Sequence, residues 1–509
     1  MTKLSYPPKL PDQTARPPHA RLLEAENARR GGNLARAQSL CEALLAQHPT
    51  YVGALQTLGA VHQASNNSRQ ALSCFIQAAM LCPKDGVNLV NLAGALVRSG
   101  ARQLAAQVLE QAKKLIPDDH EIYLTLAEIH REERDYPLAV ECFRKALALA
   151  PSNAEAAHGL GDSYCQLGLV GEAADALKMA HGLEPRSVYV LHSLTQLPPR
   201  VCPVDLKAAL AGVQRHGSQT GDEFEAVLGF AKSAVLDRCG KYEEAWKQLV
   251  LANRREKGLH AQLHGKNRAK MVSALERARR FARPAQPAVS AMDCPVSLFI
   301  LGASRSGKTS LELLLGQCEG VKRGFESRFA ETAAKRTSQQ SALLTISNPE
   351  ALPPALDGRF AEIYGEDIRD FGRHAKIVTD TYPAMISYLG RVAVTLPNCR
   401  FVFVRRDRQD LALRIFMRHF KAGNHYGYDV KTILEYIAWY DELADLWFGK
   451  FPEISLQIAY EDTVADPSAI LTRVAAFCGI DPATNPLPDI GDDRGCARPY
   501  QSFMAEALA

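Results

Sequence analysis

Along the first 190 residues the apolar positions repeat with a period of 34. Prolines stand at 49, 83, 117, 151 and 185. Twelve residues before each is an alanine: Ala37, Ala71, Ala105, Ala139 and Ala173. Twenty-four before each is another small residue: Ala25, Gly59, Ala93, Ala127 and Gly161. Larger apolar side chains fall at Phe75, Leu109, Phe143 and Leu177. Small residues let paired helices approach closely, large ones fill the space between them, and proline cannot continue a helix. The pattern predicts one helix–turn–helix per period. A weaker sixth copy, without the proline, centres on Ala245.

The second half follows a different rule. Short apolar runs alternate with helical stretches: VSLFILG (296–302) before SLELLLGQ, AKIVTD (375–380), and CRFVFVRRD (399–407) before QDLALRIFMRHF. Strands alternating with helices predict a parallel sheet, with ligand at the carboxyl ends of its strands. The 34-residue period itself resembles that of tetratricopeptide (TPR) repeats, which stack into a solenoid with a groove for a partner. The expected organisation is a disordered proline-rich tail at 1–19 and a five-repeat TPR array at 20–190. A helical bridge with the sixth copy follows at 191–283, then a linker at 284–295 and an α/β domain at 296–509.

Composition narrows this little. A hydrophobic content of 47% and a net charge of +4 exclude global disorder and a chain-wide polyelectrolyte, so nucleic acid is not an expected partner. Twelve scattered cysteines without a CxxC pair suit reduced thiols in a cytoplasm. No apolar run is long enough for a membrane span, and the first residues make a poor signal peptide. Residues 254–283 carry ten Lys or Arg against two Glu. Such a run is either a solvated helix face or a surface for an acidic acceptor.

Chemistry concentrates after the first strand. Gly302, Gly307, Lys308 and Thr309 fit G-x-x-x-x-G-K-[ST], and the strand–loop–helix context is the one that a phosphate loop needs. Backbone N–H groups and a helix N-terminus converge there on an anion. Arg305 and Lys308 add charge, and Ser306, Thr309 and Ser310 add hydroxyls. A second basic cluster, with seven basic and two acidic residues from Arg400 to Lys421, suggests a second phosphate on the same ligand. An ATP-dependent kinase or NTPase would add Asp380 as a magnesium ligand, but would leave Arg305, Arg406 and Arg414 without a duty.

LFILGASRSGKTSLELLLG resembles the 5′-phosphosulfate loop of sulfotransferases, and FVFVRRDRQDLALRIFMRHF their 3′-phosphate strand and helix. IAYEDTVADPSAILTRVAAFCGI is similar to a flanking segment of TPR-linked bacterial sulfotransferases, a group related to the tyrosylprotein sulfotransferases. The resemblance implies a P-loop-like α/β transferase domain. It implies 3′-phosphoadenosine 5′-phosphosulfate (PAPS) as donor, 3′-phosphoadenosine 5′-phosphate (PAP) as product, and no metal. It assigns Gly302, Arg305, Ser306, Gly307, Lys308, Thr309, Ser310, Arg406, Arg414 and Arg498 to donor binding. It makes Arg305 and Lys308 catalytic and matches Glu326 to the family's base. Protein or peptide binding in the TPR groove is the implied partnership. Lys308 stands where the family has threonine, Arg414 where a serine is expected, and Thr381 where a lysine is common. An inactive TPR scaffold is the remaining alternative.

Overall fold

The computed structural model describes residues 18–213, 221–284, 293–341, 345–420 and 424–508. Apart from Pro18 and His19, the tail read at 1–19 lies outside the described residues, as does most of the linker read at 284–295. The chain divides into two compact units, Met1–Leu167 and Gly168–Ala509.

In the first unit, antiparallel helices pair in sequence: Pro18–Arg30 with Leu34–Gln47, Val52–Ala64 with Ser68–Leu81, Gly86–Arg98 with Arg102–Leu115, and His120–Glu132 with Tyr136–Leu149. Ala154–Leu167 follows. The repeat is built into the turns. Gly32, Asn66, Gly100 and Arg134, each 34 residues after the last, all adopt positive φ, and each is followed two residues later by a helix start. Gly168 continues that series as the first residue of the second unit. Aspartates or asparagine cap the leading helices at the same interval: Asp85 accepts from Val87 N, Asp119 from Glu121 N and Asn153 from Ala156 N. Behind them the predicted small positions are buried, Ala37, Ala93, Ala105, Ala127 and Ala139 completely. Gly159 shows why size matters, because a Cβ there would run into the Phe143 ring. The stacked helical repeats are the expected TPR solenoid.

The second unit contains a five-stranded, all-parallel sheet in the order β2-β3-β1-β4-β5. Its strands are β1 (Val296–Leu301), β2 (Val321–Lys322), β3 (Ile377–Asp380), β4 (Cys399–Arg405) and β5 (Ser455–Ala459). β1 is central; the chain crosses first to the edge strand β2, returns to β3 beside β1, and then passes to β4 and β5 on the other side. The order therefore reverses between β1 and β4, and the carboxyl ends of those two strands flank the crevice where open α/β sheets bind ligands.

The expected separation at 284–295 is not a boundary between compact units. Phe230, Trp246, Leu249, Ala274 and Ala278 from the helical bridge share one buried cluster with Phe299, Phe401 and Phe416 of the sheet region. Polar contacts reinforce this. Asn253 Nδ2 donates to Phe416 O at 3.0 Å, Tyr500 Oη to Asp237 at 2.7 Å, and buried Glu256 meets His419 Nε2 at 3.2 Å. Part of the basic run at 254–283 is used within the unit, because Lys257, Arg279 and Arg283 pair with Asp429, Glu442 and Glu453. Helices Asp222–Arg238 and Tyr242–Leu259 meet at Gly240, whose positive φ lies two residues before the second helix, the same offset as in the repeats. Ala245 then falls fully buried at the repeat's alanine position.

Candidate donor site

β1 ends in the loop Gly302–Gly307, and helix Lys308–Leu315 begins at its far side. Two glycines are dictated by geometry. A Cβ on Gly302 would collide with Ser306 Oγ and approach Val404 O to 2.7 Å. Gly307 combines φ 99° with a wall formed by the Tyr460 ring. Tyr440 Oη accepts from Gly302 N at 3.0 Å and donates to Pro383 O at 3.2 Å, fixing where the loop begins. Ser306 is buried and its Oγ has no hydrogen-bond partner. An orphaned hydroxyl inside a glycine-bounded loop fits a ligand oxygen. Thr309 is exposed and Ser310 half-buried at the helix start.

Lys308 behaves differently from the expectation. Its buried Nζ donates to Gly302 O at 2.7 Å and Ala303 O at 3.0 Å, so the ammonium braces the loop from inside. The two carbonyls nearest the strand end draw it inward.

Arg305 reaches solvent yet is crowded by protein, as a side chain in a cleft is. Desolvation, followed by the like charges of Arg414 and Arg418, lowers its proton affinity. A guanidinium keeps its proton at neutral pH regardless, and the carboxylate of Asp493 offsets part of the repulsion. Arg406, buried at the end of β4, donates from Nη1 to Arg305 O at 3.0 Å and lies 4.2 Å over the Tyr460 ring. The structure thus joins the two basic clusters at the β1–β4 reversal.

Sequence reasoning missed what covers them. A segment from Asp489 to Tyr500 folds back onto the start of helix Arg408–Phe416. Asp410 accepts from Gly495 N at 2.6 Å and Ala497 N at 2.8 Å, and Tyr460 Oη accepts from Asp493 N at 3.2 Å. Asp493 Oδ2 then stands 3.1 Å from Arg414 Nε and 3.9 Å from Arg406 Nη2, and Asp493 O accepts from Arg406 Nη2 at 3.1 Å. An internal carboxylate already engages both arginines expected to hold a phosphate. Those residues fit a phosphate that exchanges for Asp493. Arg498 is exposed, with its side chain folded over Gly495.

Glu326 is half-buried in the turn after β2. Near it in the chain, Arg323 stacks on Phe325 and approaches Glu312, and Arg328 lies 4.9 Å over Tyr382. Asp380 is buried at the end of β3, its Oδ1 accepting from Tyr382 N at 2.8 Å. His419 Nε2 stands 3.2 Å from Glu256 Oε1. Glu461 Oε1 accepts from Asp407 N at 2.9 Å, a supporting contact. Among the described residues no group of three His, Cys, Asp or Glu is placed to hold a metal ion, and no helix is long and apolar enough to cross a membrane.

The model of a sulfotransferase family matches residues 295–484, and a tetratricopeptide repeat model matches residues 124–185. An uncharacterised protein of Aquifex aeolicus (strain VF5) is 20% identical over 380 residues, covering 71% of this chain and 48% of its own length. Cellulose synthase operon protein C of Pseudomonas fluorescens (strain SBW25) is 26% identical over 232 residues, 43% of this chain and 17% of that protein. The chain therefore spans about half or less of the length of these curated relatives. Among solved structures, the TPR protein YrrB is 21% identical, covering 34% of this chain and 89% of its own with a TM-score of 0.29. A thermophilic TPR protein of Thermus thermophilus is 19% identical, covering 38% and 100% with a TM-score of 0.31. Residues 295–484 are a sulfotransferase-family domain, and tetratricopeptide repeats precede it.

Proposed function

We propose that the protein is a sulfotransferase that uses PAPS as donor, releases PAP, and modifies a hydroxyl acceptor of the class that includes protein tyrosine and glycan hydroxyls. The observation that carries this reading is the meeting of two arginine-bearing strand ends, with Arg406 Nη1 donating to Arg305 O at 3.0 Å. A ligand with two separated phosphates would use both. PAPS supplies an activated sulfuryl group on its 5′-phosphate. The amides of Gly302–Gly307, the Ser306 hydroxyl, Thr309 and Ser310 would hold that end. Arg406 and Arg414 would take the 3′-phosphate in exchange for Asp493, and Arg498 would close over it.

Glu326 would accept the acceptor's proton as the new oxygen–sulfur bond forms. The bond between sulfur and the 5′-phosphate oxygen breaks, and its electron pair stays on that oxygen. Arg305 offsets the charge that appears there, a task suited to a planar guanidinium. Lys308 keeps the loop in shape. The repeats would present a protein or peptide partner. Because no disulfide joins any pair of the twelve cysteines, the cytoplasm is the compartment we favour.

Calorimetry with PAP, against ATP plus magnesium, tests the donor. Tight ATP–magnesium binding with no PAP binding sinks the reading in favour of an NTPase or kinase. Glu326→Gln is expected to keep PAP affinity and lower turnover about 100-fold or more, the scale of general-base loss. A labelled-donor screen read by mass spectrometry identifies the acceptor; transfer to no hydroxyl compound at all favours the inactive scaffold.

A further inference from the structure

We infer that Glu312 is the positioning residue for Glu326: from the helix that starts at the anion loop, it holds the turn that carries the base. The inference rests on the transferase reading above and adds a residue which that reading does not use.

Glu312 lies one helical turn beyond Lys308 in the helix Lys308–Leu315. It is fully buried, at 0% exposure, on the side facing β3 and the turn after β2. A buried carboxylate needs donors, and here one oxygen, Oε1, has them while Oε2 makes no hydrogen bond. Oε1 accepts from Phe325 N at 2.9 Å and from Thr379 Oγ1 at 2.6 Å. Thr379 Oγ1 in turn accepts from Gly324 N at 3.1 Å. Thr381 N donates to Phe325 O at 2.7 Å, and Arg323 Nη2 stands 3.7 Å from Glu312 Oε2. The two consecutive amides that precede Glu326 are therefore tied, directly or through one hydroxyl, to a single carboxylate.

The tied turn would not hold this shape alone. Phe325 has φ 57° and Arg328 φ 53°, left-handed values that side chains with a Cβ rarely adopt. A Cβ on Gly324 would collide with Thr379 O, so the turn lies flush against β3. Strained backbone persists where its surroundings over-determine it, and such places cluster at functional sites. An apolar side chain at 312 would fill the space equally well but would leave the Phe325 amide unmatched. Burial raises the proton affinity of Glu312, while Arg323, the Thr379 hydroxyl and the Phe325 and Gly324 amides pull it back. The helix whose N-terminus forms one wall of the anion loop thereby also sets the place of the base. One rigid element fixes the distance between donor and base.

The test uses the full chain as wild type, Glu312→Ala, Glu312→Gln, Glu326→Gln and the two double variants. Hydrogen exchange of the peptide around residues 322–329 reads the anchoring. PAP formation from PAPS, with 2-naphthol as the acceptor probe and water as the blank, reads turnover, and calorimetry reads PAP affinity. Glu312→Ala is expected to speed exchange of the 324 and 325 amides about 10-fold or more and to lower turnover about 10- to 100-fold, with PAP affinity within about 2-fold. Glu312→Gln, whose amide oxygen still accepts, is expected to recover most of both. In the Glu326→Gln background the turnover effect of Glu312→Ala is expected to vanish to within about 2-fold, the signature of one residue acting through another.

Multiplicative losses in the double variant overturn the inference, and so does unchanged exchange in Glu312→Ala. If Glu326→Gln alone leaves turnover intact, the base reading falls and the inference falls with it, while faster exchange would still mark the anchored turn. If the wild-type protein forms no PAP with either acceptor, the transferase reading fails and the exchange experiment decides the anchoring by itself. Should Glu312→Ala not fold, the cycle is read with Glu312→Gln, where additivity again overturns the inference.

Discussion

The repeat unit and the unit that follows it bury different things. In the first, the interior is aliphatic, with a few phenylalanines and cysteines, and its buried polar residues (Thr57, His62, Asn88 and Ser163) include no Asp, Glu, Lys or Arg among the described residues. In the second, Glu256, Lys308, Glu312, Asp380, Arg406 and Asp410 are all buried beside an equally apolar core. Burying charge is unfavourable unless each ion finds a partner, and the places where a protein accepts that burden are candidates for function. The first unit is held by a periodic apolar interface, and the second by an apolar core that also carries buried charges, several of them around the ends of β1, β3 and β4.

The strongest way to break this comparison is to damage the apolar interface alone. Phe143 is fully buried and packs against Gly159, where a Cβ has no room. Phe143→Ala is expected to destabilise the repeat unit by about 3–5 kcal/mol, the usual range for an aromatic side chain deleted from a core. Calorimetric scans should show a repeat transition moved to lower temperature, with PAP affinity at 25 °C unchanged. A matching loss of PAP affinity would mean that the repeats contribute to the donor site.

The same contrast explains what could be read in the sequence. Prolines and alanines at a 34-residue interval give the repeats, because each repeat uses the same local contacts. The left-handed turn also recurs every 34 residues, but Gly32, Asn66, Gly100, Arg134 and Gly168 occupy it, and no single residue type marks it. The fold class follows from local pattern, and the sheet order bears it out. The places of Gly302, Arg305 and Arg406 just after β1 and β4 were legible because strand-end position and loop spacing are local. Asp493, Asp410 and Glu312 were not. Their partners lie at 406 and 414, at 495 and 497, and at 325 and 379, and nothing near them in the chain marks the pairing. The orientation of Lys308 was hidden for a related reason: a loop motif states which residues are present and not which carbonyls they meet. The proline-rich stretch at 284–295 suggested a boundary, while the aromatic contact of Trp246 with Phe416, ring centroids 5.1 Å apart, shows a shared core that composition cannot reveal.

A smaller effect sharpens the polar side of the comparison. Asp493 is partly exposed and shared between Arg406 and Arg414, so its interaction is worth on the order of 1 kcal/mol after solvent screening. An incoming phosphate must replace it. Asp493→Asn is expected to tighten PAP binding about 3- to 10-fold, the affinity equivalent of about 0.7–1.4 kcal/mol. The gain should shrink as salt is raised. Weaker PAP binding in Asp493→Asn would show that the carboxylate orders the site and does not compete for it.

The finest distinction concerns thiols. In the repeat unit Cys41 is pushed up to about 11, first by burial and then by Cys74 and nearby carboxylates, as a thiol used simply as a small apolar residue should be. Cys496 has a different setting. Its Sγ lies 3.9 Å from Arg406 Nη2, and two arginines would draw its pKa down, yet burial and then Asp410 carry it up to about 12. Only the thiolate reacts with an alkylating reagent. Near pH 8 the two groups should therefore behave alike despite their different neighbours. Iodoacetamide is expected to label exposed Cys82 and Cys239 first, one in each unit, with Cys41 and Cys496 slower by about 10-fold or more. Peptide mass spectrometry over a time course reads this directly. Labelling of Cys496 as fast as that of Cys82 would show that the field of Arg406 and Arg414 outweighs burial at that point. The charge network, and not the apolar core, would then govern the segment that covers the donor site.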